Sequence, residues 1–296
     1  MNISELGINL FGNDSNKKIQ LKRIKKLKKH IKDFKIFLII AGTNTSQIAG
    51  ISAAGTNANA RRTTALADAE FLLEGPSKDH QYKLPLLNAG VTPALISYVC
   101  SKLINVYPVV VPLGIGVKPY FNHLIIEDRD LGPSNCLTTG KSMPKKRVLN
   151  LYEKGLAIGK ASKQPILISE SVPGGTTTAQ AVMEAFGLKV SNLVGSSLFK
   201  APRDLRRNVV KKGLLNANLK TNFDSFDVIL SVGDPFQAFS MGLLIGARLA
   251  NQPVILSGGS QMLAVIVLVL EFLGSKNKDE FVEDVFIATT GWLVKD

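Results

Sequence analysis

The feature that most constrains this chain is a unit repeated along it: a short β-branched run, a turn of Gly, Ser, Thr or Asn, then a pattern with helical spacing. Lys35–Ser46 (KIFLIIAGTNTS) opens the series. Gln164–Gly187 (QPILISESVPGGTTTAQAVMEAFG), Phe226–Ala250 (FDVILSVGDPFQAFSMGLLIGARLA), Gln252–Gly274 (QPVILSGGSQMLAVIVLVLEFLG) and Asp284–Trp292 (DVFIATTGW) follow the same order. Tyr107–Gly116 (YPVVVPLGIG) gives a run and a glycine turn, but Pro112 and Pro119 predict a loop beyond it rather than a helix. Apolar runs without alternation belong to strands buried on both faces, hence to a parallel sheet covered by helices. The predicted fold class is α/β: a doubly wound, mostly parallel sheet with helices on both faces. Right-handed crossovers put every turn that follows a strand at one edge of the sheet, where open α/β sheets bind ligands.

Ahead of the first strand, Asn16–Lys35 holds ten Lys/Arg against the single Asp33, most of a net charge of +13. Leu21, Ile24, Leu27, Ile31 and Phe34 recur at helical spacing, so residues 1–34 read as a basic amphipathic helical segment and 35–296 as one α/β domain. Such a helix suits anionic lipid or nucleic acid, or else docks by its apolar stripe with a solvated lysine face. No aromatic-basic interleaving follows it, so neither nucleic acid nor membrane is the expected partner. Cys100 and Cys136 are too far apart for metal-ligand spacing, and His30, His80 and His123 form no HExxH pattern. No signal peptide is visible, and Met262–Gly274 is too short to span a bilayer and carries Glu271, so a cytoplasmic location is expected. Gln47–Gly75, rich in Gly, Ala, Asn and Thr, reads as a long connection of the kind that carries function, and residues 117–147 as an irregular surface excursion.

Chemistry concentrates in the stretch ISESVPGGTTTAQAVMEAFG. PILIS predicts a strand ending at Glu170, Thr176–Gly187 the helix after it, and Ser171, Gly174, Gly175 and Thr176 the turn between. A helix start leaves four N–H groups unpaired and carries partial positive charge; glycines let a phosphate approach, and the hydroxyls of Thr176 and Thr177 add donors. The P-loop pattern GxxxxGK[ST] is absent, which favours a monophosphate over a triphosphate. The plainer reading is a capped helix with glycines easing a tight turn. Gly258–Gln261 and Val232–Pro235 are predicted to lie on the same edge, and Asp234 reads both as an N-cap before Pro235 and as a ribose ligand. A carboxylate at the end of a buried strand needs a partner or a use. Glu170 suits a cationic reacting centre such as a ribose losing its anomeric substituent, or else a salt bridge to a lysine.

These segments resemble the nicotinate-nucleotide–dimethylbenzimidazole phosphoribosyltransferases, and more closely their cyanobacterial and archaeal branch. SESVPGGTTTAQAVMEAFG carries the likeness, with IAGISAAGTNANARRTTALADAEFLLEG, VGDPFQAFSMGLLIGARLANQPVILSGGSQMLAV and IATTGWLVKD, from about Phe37 to the last residue. The resemblance implies a Rossmann-like parallel sheet, no metal or cofactor, a homodimer, and transfer of phosphoribose from nicotinate mononucleotide to a benzimidazole-type azole base. It implies that Gly174, Gly175, Thr176 and Thr177 hold the phosphate and that Glu170 is the catalytic acidic residue near the ribose. Asp234, Gly258, Gly259, Ser260 and Gln261 would line the nucleotide, and the Gln47–Glu70 region the base. Ser169 stands where the family usually has glycine. The family pattern continues past TTGWLVKD into a Gly-rich segment whose glutamate is the proposed general base, whereas the sequence in hand ends at Asp296. A shortened relative that binds a mononucleotide without turnover is therefore the alternative expectation.

Overall fold

The computed structural model describes residues 8–11, 14–29, 32–55, 57–84, 92–195, 202–274 and 278–291. His30, Ile31 and the Trp292–Asp296 end of the last family-like segment lie outside them. Five strands, β1 (Lys35–Ala41), β2 (Val109–Leu113), β3 (Ile166–Ser171), β4 (Val254–Ser257) and β5 (Val285–Ala288), form one all-parallel sheet in the order β2-β1-β3-β4-β5. The helices are α1 (Asp14–Lys28), α2 (Ala58–Glu74), α3 (Ala94–Ile104), α4 (Lys145–Lys160), α5 (Gly175–Ala185), α6 (Arg203–Ala217), α7 (Ser225–Val232), α8 (Pro235–Leu249), α9 (Ser260–Leu273) and α10 (Lys278–Val282).

The two-residue period of a strand explains why helices cover both faces. In β1, Leu38 and Ile40 pack with Leu66, Ala69 and Val110 on the α2 side. Phe37, Ile39 and Ala41 join the larger core on the other side, built with α4 to α9. The α/β class expected from the non-alternating runs is thus observed.

One predicted strand is corrected. FDVIL lies in α7, not in the sheet, so Val232–Pro235 joins two helices instead of following a strand. A short apolar run cannot by itself separate a strand from a buried helix. The capping box of Asp224 and Asp227, each side chain bonded to the other's backbone N–H, starts a helix there. Gln47–Gly75 is likewise less loop than expected, because α2 begins at Ala58 behind the Asn57 cap. Alanine is the best helix former, and its small side chain lets Ala65, Ala67 and Ala69 sit buried beside the sheet.

Residues 114–144 hold only two short 3₁₀ turns before α4, as the prolines lead one to expect. The excursion is pinned by a buried pair, Arg147 donating to Glu127 at 2.6 and 2.9 Å. Helix α1 is shorter than the predicted segment; Leu27 is buried, Leu21 and Ile24 are half-buried, and Arg23 bonds Glu283 at 2.6 Å. No helix among the described residues is long and apolar enough to cross a membrane.

Candidate functional site

Chain order and strand order diverge between β1 and β3: one crossover from β1 runs to β2, and the next returns past it to β3. Open α/β sheets bind ligands at such a switch point, outside the carboxyl ends of the strands. Register decides what β3 presents there. Ile39 pairs with Glu170 and Ile40 with Ser171, so the two residues face opposite sides of the sheet. Ser171, on the α2 side, donates to Asp68 Oδ2 at 2.8 Å, and Thr92 donates to Asp68 Oδ1 at 3.2 Å. Glu170 faces the side of α8. Burial is the main cause that pushes its carboxyl up to about 7; the Asp234 and Asp68 charges add to this, and a hydrogen bond from the Val172 N–H opposes it. Among the described residues Glu170 has no ion pair, so the lysine salt bridge expected as its alternative does not form there.

The turn after β3 is set by Gly174. Its φ of 84° is left-handed, and a Cβ there would lie 2.9 Å from the Ser46 nitrogen, so glycine is required on both counts. It is the N-cap of α5, without a side-chain cap. The Gly175 N–H donates to the Val172 carbonyl at 2.7 Å, and those of Thr177 and Thr178 to the Gly174 carbonyl at 3.0 and 3.4 Å. The amides of Gly174 and Thr176 donate to nothing among the described residues. Thr177 is fully buried, yet its hydroxyl has no protein partner. Two amides unpaired among the described residues and a buried, partnerless hydroxyl therefore lie at the positive end of a helix dipole.

Behind this turn lies a buried polar network. Asp234 caps α8: Oδ1 accepts from the Gln237 N–H at 3.2 Å, and Gln237 Oε1 accepts from the Asp234 N–H at 3.1 Å. Asp234 Oδ2 accepts from Thr178 Oγ1 at 2.5 Å and Gln261 Nε2 at 2.7 Å, while Gln237 Nε2 donates to Gln261 Oε1 at 2.8 Å. Burial raises the Asp234 pKa, and these hydrogen bonds counter the rise. The capping reading describes Asp234, which has no exposed surface and reaches the turn only through Thr178 and Gln261. Gln261 in turn approaches Gly175, where a Cβ would meet its Nε2 at 2.5 Å. Gly258, Gly259 and Ser260 follow the adjacent β4, with Gly259 the N-cap of α9.

Beside Pro173 a cleft of about 320 Å³ opens between the carboxyl ends of β1 and β2 and the start of α2; its walls include Thr43, Asn44, Gln47, Asn59 and Arg62. Arg61, also in the wall, is buried and spent on backbone carbonyls, those of Ser46 at 2.5 Å and Gly55 at 3.2 Å. The structure thus gathers Glu170, Gly174–Thr177 and Gln261 at one edge, with Gly258–Ser260 next to them. Sequence reasoning missed Asp68, Thr178 and Gln237. Their only signal was polar residues at buried helical positions, which carries no address until the helices are packed.

A switch-point edge that carries a helix start with amides unpaired among the described residues, and a half-buried carboxyl at the end of the preceding strand, defines an α/β protein suited to a small ligand that pairs a negative group with a cationic centre. Comparison with known proteins is more specific. A phosphoribosyltransferase family model matches residues 18–271. A UPF0284 protein of Prochlorococcus marinus strain MIT 9312 is 87% identical over 293 residues, covering 99% of this chain and 76% of that protein. One of Crocosphaera subtropica is 34% identical over 270 residues, covering 88% and 72%. Among solved structures, CobT from Thermus thermophilus superimposes with a TM-score of 0.64 at 16% identity, covering 90% of this chain and 73% of that one. The nicotinate-nucleotide-dimethylbenzimidazole phosphoribosyltransferase from the same organism gives 0.61 at 15% identity, covering 86% and 68%. The chain belongs to this phosphoribosyltransferase family, as the Glu170–Gly187 resemblance led one to expect.

Proposed function

We propose that the chain moves phosphoribose from nicotinate mononucleotide to a benzimidazole-type base, the step that makes the lower-ligand nucleotide of cobamides. The observation that carries this reading is the start of α5, four residues past Glu170: amides at Gly174 and Thr176 that are unpaired among the described residues, and the buried, partnerless Thr177 hydroxyl. Family membership and the name of the superimposed Thermus enzyme support it. In this reading the phosphate seats on the Gly174–Thr177 turn, and the ribose lies over Glu170. As the bond from the anomeric carbon to the nicotinate nitrogen breaks, its electron pair leaves with nicotinate and positive charge grows on the sugar. Ionised Glu170 stabilises that charge, while the incoming azole nitrogen attacks the opposite face and the N–H proton of the resulting azolium passes to solvent water. The base enters from the cleft beside Pro173, whose walls include Gln47, Asn59, Arg62 and Thr63.

Release of nicotinate from the mononucleotide in the presence of dimethylbenzimidazole tests the reading. Turnover is expected in wild type, with Glu170→Gln slower by about 100–1,000-fold. Thr177→Val is expected to raise KM for the mononucleotide while leaving the fold intact. Undiminished turnover in Glu170→Gln, or no binding of the mononucleotide by calorimetry, contradicts it.

A further inference from the structure

A second polar cluster lies on the other face of the sheet. Glu70 and Glu74 are one turn apart on α2, where like charges four residues apart repel. Gly75 then turns the chain back with φ 82°, so that residues 80–82 return over Glu70. The Gln81 N–H donates to Glu70 Oε1 at 2.6 Å and the Tyr82 N–H to Oε2 at 2.8 Å. The Tyr120 hydroxyl contacts Glu70 and lies 3.2 Å from Glu74 Oε1. His80 completes the group: one donor atom each from Glu70, Glu74 and His80 lies within 4.8 Å of the other two.

Two observations independent of that proximity point to a cation as the partner of this cluster. Glu70 has no exposed surface and, among the described residues, no cation pairs with it or with Glu74. A buried carboxylate without a counter-charge is costly. His80 Nε2 is also buried without a hydrogen-bond partner, and the ring is held edge-on against Phe71 at 5.8 Å between centroids. Hydrogen bonds that orient a carboxylate, with a packed imidazole beside it, are what a ligand set needs in its surroundings.

We propose that Glu70, Glu74 and His80 form a binding site for a divalent cation of the Zn²⁺ or Mn²⁺ class. One imidazole nitrogen with two carboxylates suits such ions better than Mg²⁺ or Ca²⁺, which take oxygen ligands alone. The ion clamps residues 75–82 to α2. Glu74 is exposed and lines a separate cleft of about 640 Å³ with Tyr120, Phe121 and His123, so the site is reached from solvent. The Glu-x₃-Glu-x₅-His spacing resembles no recognised zinc pattern, which is why the scattered histidines gave no metal signal in the sequence.

The test is calorimetric titration of the full chain, stripped with chelator, with Zn²⁺ and separately with Mn²⁺ and Mg²⁺. One Zn²⁺ or Mn²⁺ per chain is expected. Affinity should fall at least tenfold in both Glu74→Gln and His80→Ala, and Mg²⁺ should bind more weakly than either ion. Should a variant fail to fold, Mn²⁺ added to labelled wild type must broaden the Gln81 and Tyr82 amide resonances before others. Unchanged affinity in the variants, equal binding of Mg²⁺, or broadening confined to other residues overturns the proposal.

Discussion

In the proposed reading, Glu170 ties stability to function through one side chain. Its carboxyl has an ordinary value of 4.5 and rises to about 7 in the fold, so the folded chain holds that proton more tightly than the unfolded one. The linkage sign follows: the native state is undisturbed below about pH 4.5, loses stability as pH rises toward 7, and carries the full penalty above it. Glu170→Gln is therefore expected to stabilise the protein at pH 8 by up to about 3 kcal/mol, with the gain vanishing near pH 4. Urea unfolding at the two pH values checks this. In the same span kcat/KM of wild type should rise as Glu170 ionises, with an apparent pKa near 7. Thr178→Val removes one donor from the buried Asp234 carboxylate and should cost about 1–3 kcal/mol, measured the same way. Glu170 and the Gly174 turn were legible in the sequence because a carboxylate and two glycines interrupt an apolar pattern. The Ser171–Asp68 bond was not, since it depends on which face of β3 meets α2.

Among the elements, α4 and α8 meet backbone to backbone. Gly155 and Gly159 on α4 face Gly242 and Gly246 on α8: a Cβ on Gly155 would lie 2.2 Å from the Phe239 carbonyl oxygen, and one on Gly242 2.0 Å from that of Tyr152. Backbones this near leave no room for even a methyl group, so Gly242→Ala should destabilise by about 1–3 kcal/mol, whereas Ala at Gly132, whose Cβ would meet nothing, should cost only its left-handed φ. Thermal unfolding of the two variants separates packing from backbone strain. A glycine pair spaced four apart on each helix is visible in the sequence, but hydropathy periods give glycine no weight, so the pairing was not. The same weakness made α7 read as a strand: Val, Ile and Phe fit either element when buried, and only the Asp224–Asp227 capping box decides. Strands β1, β3 and β4 were readable because each is bounded by a glycine or proline turn.

For the whole molecule, the order β2-β1-β3-β4-β5 matters more than any single contact, because it opens the crevice at the ends of β1 and β3 and points the start of α5 toward it. Repeated strand–turn–helix units foretold a parallel sheet; the order of strands, and so the place of the switch point along its edge, came only with the fold. The charge of +13 proved largely local, carried by α1 and its flanks, where Leu27 is buried and Leu21 and Ile24 half-buried. If the start of α5 seats a phosphate, ligand binding should raise the melting temperature with nucleotide concentration, and nicotinate riboside, which lacks the phosphate, should raise it far less. A crystal of the chain soaked with nicotinate mononucleotide is the most direct measurement. The expected density places the phosphate on the Gly174 and Thr176 amides, with the ribose against Glu170. Phosphate density elsewhere, with those amides and the Thr177 hydroxyl still unpaired by ligand, would contradict the account.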